Sequence, residues 1–240
     1  MLVAVAGTDG AGKSTVTRAV AEFLAGSGCA VHHVDRWDVV DNPHYPAAGF
    51  LASDVTYIRH RVADMPPTAR LLFLMWLIDM ALEAWEGDAR TGALLVDGYW
   101  MKHAASEVAY GLDQGWVEGV VDRLPQASVT LYLRVSPEVA WARKTGDIVP
   151  YECGMDPSCA EESFLAHQRR IQNLLDRWAA QRGWTVIDAD RPYEDVVADV
   201  TRYLAAAVEH GEAGPGGADP DGSAPAPPLA VHSGADGRTR

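Results

Sequence analysis

The 240 residues carry 33 acidic side chains against 20 basic ones, a formal charge of −13, and only three of the basic residues are lysines: Lys13, Lys102 and Lys144. That balance excludes a non-specific nucleic-acid coat, which draws its affinity from neutralising phosphates with basic residues, but it leaves room for a focused basic pocket for one small anion. At 48% hydrophobic residues the chain can bury a sizeable core, and its length suits one domain of roughly 200 residues plus an appendage.

The chain opens on a five-residue apolar run, Leu2 to Ala6, with no basic leader and no apolar stretch of signal length. Further strands are predicted at Ala30 to Val34, Ala93 to Val96, Val129 to Val135 and Trp184 to Ile187. Between them, Thr68 is expected to cap a helix running through Trp85 whose first turns are apolar on nearly every side, as in a buried helix. Pro137 suits the first turn of another helix, and Glu161 to Gln181 reads as a long amphipathic helix ending at Gly183. Continuous apolar strands spaced by helices predict an α/β fold with a five-stranded parallel sheet covered on both faces.

The longest apolar run, Leu71 to Ile78, ends at Asp79 and falls short of the roughly 18 to 20 residues of a membrane span. Cys29, Cys153 and Cys159 are an odd, scattered set rather than a disulfide framework, so a reducing, cytoplasmic setting is expected. Residues 211–240 hold five prolines and seven glycines with almost no large apolar side chains, which predicts a disordered tail or a short docking motif after a domain at 1–210. Within that tail Glu212, Asp219, Asp221 and Asp236 outnumber Arg238 and Arg240 by only two, so most of the negative charge belongs to the domain.

Directly after the first strand comes GTDGAGKST, Gly7 to Thr15, which fits the phosphate-binding pattern G-x-x-x-x-G-K-[ST] in a strand-loop-helix setting. Gly7, Gly10 and Gly12 let the backbone curl so that its N–H groups face an anion, and the following helix points its positive end at the same place. Lys13 is expected to neutralise the β- and γ-phosphates of ATP, the Ser14 hydroxyl to ligate magnesium, and Thr15 to reach the α-phosphate. A glycine-rich turn capping a helix, or a loop that binds nucleotide without catalysis, are the competing readings. A second anchor is Leu94 to Asp97, an apolar strand ending in a carboxylate that belongs near the magnesium ion or, as a base, near the acceptor hydroxyl. No N-K-x-D guanine reader is present.

These motifs resemble the thymidylate kinase family of nucleoside monophosphate kinases, with the P-loop NTPase fold. The resemblance rests on the loop with Asp9 in its third position, on Asp97-Gly98-Tyr99 followed by Val108 to Gly111, on Val129 to Arg143, and on Pro150 to Glu152 with Ser163, Phe164 and Gln168. It covers residues 1 to about 205 and implies ATP and Mg2+ as cofactors, a small-molecule nucleotide or nucleoside as acceptor, no nucleic-acid polymer or membrane partner, and a homodimer. By the same resemblance Asp9 faces the acceptor, Arg36 sits on the acceptor phosphate, and Tyr99 lies in the acceptor site. Because Gly10 fills a loop position that is basic in some members, the resemblance assigns the lid cations to Arg143 and Lys144, in a lid at about 143–158, with a solvated helix end as the alternative for both.

The departures fall on the acceptor side. Gly98 replaces an arginine of the family, Leu72 and Phe73 lead into Leu74 rather than Ala-Asp-Arg, and Val149 and Pro150 replace Asp-Arg before Tyr151. Lys102 restores one charge or is an ordinary exposed helix lysine; Arg36 has a surface ion pair with Asp35 or Asp38 as its alternative. Trp37, Trp76, Trp100 and Tyr99 are expected around the acceptor pocket, although Trp76 reads first as plain core, and His32, His33, His60 and His103 are read as structural or surface residues. The functional expectation is transfer of a phosphoryl group from ATP to a thymidylate-like nucleotide. The alternatives are a kinase of an unphosphorylated nucleoside or small alcohol, and a non-catalytic nucleotide-binding regulator.

Overall fold

The computed structural model describes residues 1–26, 28, 31–86, 93–144 and 148–209. The expected tail, Cys29, Ala30 and residues 145–147 of the expected lid lie outside the described residues. In chain order the elements are β1 (Leu2–Ala6), α1 (Lys13–Gly26), β2 (Val31–Val34), α2 (Val55–Ala63), α3 (Pro67–Glu86), β3 (Ala93–Asp97), α4 (Trp100–Ala109), α5 (Gln114–Val121), β4 (Val129–Arg134), α6 (Pro137–Arg143), α7 (Glu161–Arg182), β5 (Thr185–Asp188) and α8 (Tyr193–Glu209). Short 3-10 turns at Arg36–Val39, Pro46–Ala48 and Pro150–Cys153 interrupt the connections.

The five strands form one all-parallel sheet in the order β2-β3-β1-β4-β5, the α/β architecture of a P-loop NTPase. Side chains alternate across it. Leu2, Ala4, Ala6, Leu94 and Val96 face a core made with α3, α4, α5 and α7, whereas Val3, Val5, Leu95, Leu131 and Leu133 face a second core under α1 and α8. The inner strands β1 and β3 are buried along their whole length, which is why they read as unbroken apolar runs. The edge strand β2 is different: His32 and His33 are exposed, because an edge strand is covered incompletely.

Helix α3 is buried on two sides, with Leu71, Leu74, Met75 and Ile78 in one cluster and Leu77 and Ala81 in another, as its all-round apolar pattern predicts. Thr68 is not its cap. The helix opens at Pro67, which loses nothing there because the first N–H groups of a helix have no internal partner, and Thr68 falls inside the first turn. Pro137 opens α6 behind a Ser136 cap, and α7 ends on Gly183. No helix among the described residues is long and apolar enough to cross a membrane.

Candidate active site

The carboxyl ends of β1 and β3 meet where Val5 pairs with Asp97 and the Gly98 N–H donates to the Val5 carbonyl at 3.1 Å, so the Gly7–Gly12 loop and Asp97 are neighbours. The loop is compact for a steric reason. At Gly10 (φ +80°) an added Cβ would stand 2.8 Å from the Ala140 carbonyl oxygen, so α6 lies directly against the loop and only glycine allows that approach. Lys13 folds back to donate to the Thr8 carbonyl at 2.8 Å, while Ser14 and Thr15 are exposed in the first turn of α1.

The three lysines, far apart in sequence, converge on one carboxylate. Lys102 donates to Asp9 Oδ1 at 3.0 Å, with only 10% and 12% of the two side chains exposed, so the alternative of an ordinary surface lysine is excluded. Burial alone would raise the Asp9 carboxyl, but Lys102, Lys13 and Lys144 outweigh it and hold it well below the usual carboxylate range. Lys13 itself is lowered by burial, with Lys102 and Arg36 adding to the effect and Asp9 and Asp97 opposing it. Lys144 grips Glu152 in the Pro150–Cys153 turn, at 2.6 and 2.5 Å to the two carboxylate oxygens. Even so, burial and the nearby Asp9 charge keep the Glu152 carboxyl above its ordinary value.

Gln168 on α7 ties these parts together. It accepts from the Asp9 N–H at 3.2 Å and donates to Asp9 Oδ2 at 3.3 Å and to the Glu152 carbonyl at 2.9 Å, so the Gly7–Gly12 loop and the Pro150–Cys153 turn share one amide. Of the two expected lid cations, only Lys144 turns toward the loop. Arg143 donates instead to the carbonyls of Ala189 and Arg191, at 2.8 and 3.2 Å, in the connection after β5.

Asp97 is 4% exposed and its Oδ1 has no hydrogen-bond partner, and the Thr8 hydroxyl is likewise buried and unpaired. A buried carboxylate oxygen left open next to Lys13 fits a magnesium site shared with Ser14, since a hard divalent cation takes oxygen ligands. Arg36 flanks the same spot: its guanidinium comes within 3.6 Å of where a Gly98 Cβ would stand, and it lies 3.9 Å from Asp35. It also sits 5.1 Å from the Trp37 ring centroid, which Arg59 of α2 approaches to 5.4 Å.

The expected aromatic cluster does not form. The Tyr99 hydroxyl donates to the Pro125 carbonyl at 2.6 Å and its ring is 1% exposed in the main core, because Gly98 (φ +60°) turns the chain so that Tyr99 points beneath α4. Trp100 packs edge-on against Trp178 and Trp184 at 5.5 and 6.0 Å, and Trp76 pairs with Phe50 and Phe73 at 5.4 and 5.9 Å. Only Trp37 stands beside a residue expected to hold the acceptor. Behind it lies a buried network that sequence reasoning missed. Arg70 (1% exposed) makes a bidentate pair with Glu107 (0%) at 2.6 and 2.9 Å, donates to the Ala63 and Met65 carbonyls, and approaches the rings of both Tyr110 and Tyr151, at 5.2 and 4.8 Å. The Tyr151 hydroxyl donates to Glu107 at 2.9 Å and so fastens the Pro150–Cys153 turn to α4. His103, expected as a structural or surface residue, is 4% exposed with both ring nitrogens unpaired. Its only sequence signal is its place, shortly after Asp97-Gly98 and next to Lys102.

The chain is similar to a probable thymidylate kinase of Archaeoglobus fulgidus, 26% identical over 212 residues that span 85% of this chain and 94% of the relative. A probable thymidylate kinase of Pyrobaculum aerophilum is 24% identical over 216 residues, 84% of this chain and 95% of that one. Probable thymidylate kinase 2 of Saccharolobus solfataricus is 30% identical over 124 residues, and there the match spans 49% of this chain and 58% of the relative. The likeness supports the thymidylate kinase family at a distant level. No family model matches the chain.

Proposed function

We propose that the protein transfers the γ-phosphoryl group of Mg-ATP to a thymidylate-like nucleoside monophosphate. The observation that carries this reading is the convergence of Lys13, Lys102 and Lys144 on Asp9, beside the open Asp97 oxygen, at the joined ends of β1 and β3. Distant relatives named as probable thymidylate kinases support the same class of reaction.

In this reading the loop N–H groups and the positive end of α1 receive the phosphates of ATP, and Lys13, already fixed near the loop, balances their charge. Lys144 adds a second cation from the lid as charge spreads over the transferring group. Asp97, held ready with a free oxygen, orients the acceptor or joins Ser14 in holding magnesium, which when bound neutralises phosphate charge. Asp9, kept ionised by its lysines, fixes Lys102 at the acceptor side. Most of the rate gain comes from positioning and charge neutralisation, because phosphoryl transfer needs little covalent help from the protein.

A second reading, phosphorylation of an unphosphorylated nucleoside or small alcohol, is favoured by the absence of a side chain at Gly98. The two separate in one experiment: Mg-ATP with a panel of thymidine, its monophosphate and other nucleosides and nucleotides. Faster turnover of the monophosphate supports the first reading. Turnover of thymidine alone supports the second, and ATP binding without any turnover overturns both.

A further inference from the structure

Resting on the kinase reading above, we propose that His103 is a hydrogen-bond reader of a phosphate monoester on the acceptor.

His103 lies in α4 shortly after Gly98, it is 4% exposed, and neither ring nitrogen has a hydrogen-bond partner. A buried imidazole with both nitrogens open is costly, since buried polar groups are almost always paired. His167 is the other such histidine among the described residues, but its ring stacks on Tyr110 at 4.8 Å and feels the Asp9 carboxylate. After burial, the charges that act most strongly on His103 are cations: Arg36 from the turn after β2, Lys102 on its own helix, Lys13 from α1 and Arg59 from α2. Burial and those charges keep the ring neutral, with one N–H to give and one nitrogen to accept.

Two of the unpaired groups nearby are donors, and a third, Asp97 Oδ1, is an acceptor. Arg36 Nε and Trp37 Nε1 are buried donors without acceptors. Lys102 is committed to Asp9 and Lys13 donates to the Thr8 carbonyl. Arg36 has only a loose approach to Asp35 at 3.9 Å, and among the described residues Arg59 has no carboxylate partner. Two guanidinium charges without a close partner, together with open N–H donors, match a dianion that accepts several hydrogen bonds, and a phosphate monoester is such a group. The gap beside Gly98 is bordered by Arg36 and Lys13, each 3.6 Å from the Cβ position. An arginine there would set a further cation against both, whereas a neutral imidazole supplies a hydrogen bond without that repulsion.

The test uses the full chain, with calorimetric binding of thymidine 5′-monophosphate and of thymidine, and steady-state kcat and KM. His103→Leu is expected to weaken monophosphate binding and raise its KM by about 10- to 100-fold, the usual loss for a hydrogen bond to a charged group. Thymidine binding and the affinity for Mg-ATP should stay unchanged, and His103→Gln, which keeps a neutral donor, should restore most of the loss. Equal weakening of thymidine and its monophosphate, or an unchanged monophosphate affinity in a folded leucine variant, overturns the assignment. If no acceptor turns over, the kinase reading fails, yet the binding comparison still decides His103: selective loss of the monophosphate upholds it, and no monophosphate binding to the native protein overturns it. Should the leucine variant not fold, nitrogen NMR of the native His103 ring decides instead. Ring shifts that move with the monophosphate and not with thymidine uphold the role, and shifts that ignore both overturn it.

Discussion

Removing one partner of the Arg70–Glu107 pair gives a direct measure of what holds the acceptor side together. Both side chains are essentially out of water, at 1% and 0% exposure, and the pair is bidentate at 2.6 and 2.9 Å. Glu107→Leu leaves a buried guanidinium uncompensated, and Arg70→Met leaves a buried carboxylate, each expected to cost about 3–5 kcal/mol. With a urea dependence of about 2 kcal/mol per molar, the unfolding midpoint should fall by about 1.5–2.5 M. The double variant should be more stable than either single one, because removing both charges also removes the desolvation cost of each. It will not return fully to the native value: the Ala63 and Met65 carbonyls lose a donor and the Tyr151 hydroxyl loses its acceptor. Urea titrations of the native protein and the three variants complete a double-mutant cycle. Single losses under about 1 kcal/mol, or losses that simply add, would refute the view that the pair is mutually compensating.

Other expectations follow from the same geometry. Gly10→Ala should destabilise the loop and weaken ATP binding more than Gly12→Ala, since both residues have φ near +80° but only Gly10 meets α6; equal effects in thermal-shift and ATP-binding assays would refute the close-approach argument. Lys13→Ala should abolish phosphoryl transfer while leaving the circular dichroism spectrum and melting cooperativity intact, and unchanged turnover would remove the lysine from the mechanism. For acid stability, burial lowers His167 from 6.5 to about 4, so the unfolded chain takes up the proton first. Stability present above pH 6.5 is therefore lost as the pH falls toward 4, by up to about 3 kcal/mol for this group. Denaturant titrations between pH 7 and 4 should show a shallower loss in His167→Leu, and an identical pH dependence would count against a buried neutral ring.

The sequence made some of this molecule plain and hid the rest for physical reasons. β1 and β3 read clearly because inner parallel strands are apolar on both faces, and the loop from Gly7 to Thr15 read clearly because its contacts are local. The Lys102–Asp9 pair joins residues 93 positions apart, and a lysine on a helix looks solvated until the packing of α4 against the loop is known. Arg70 and Glu107 were hidden in the same way, since a buried charge carries no periodic signature apart from its partner. The direction of Tyr99 is not legible in the sequence, because position after a strand says nothing about which way a side chain leaves a left-handed glycine.

The gathering of three lysines on Asp9 has a consequence for how an anion would enter. The protein carries its own counter-ion. An arriving polyphosphate would not meet bare ammonium groups stripped of solvent and repelling one another; it would compete with a carboxylate already fixed in their midst. Entry becomes an exchange of partners, in which Asp9 surrenders Lys102 as phosphate oxygens take it. An exchange of this kind depends less on bulk salt than a count of nearby cations suggests, because much of the local positive field is cancelled before the ligand comes.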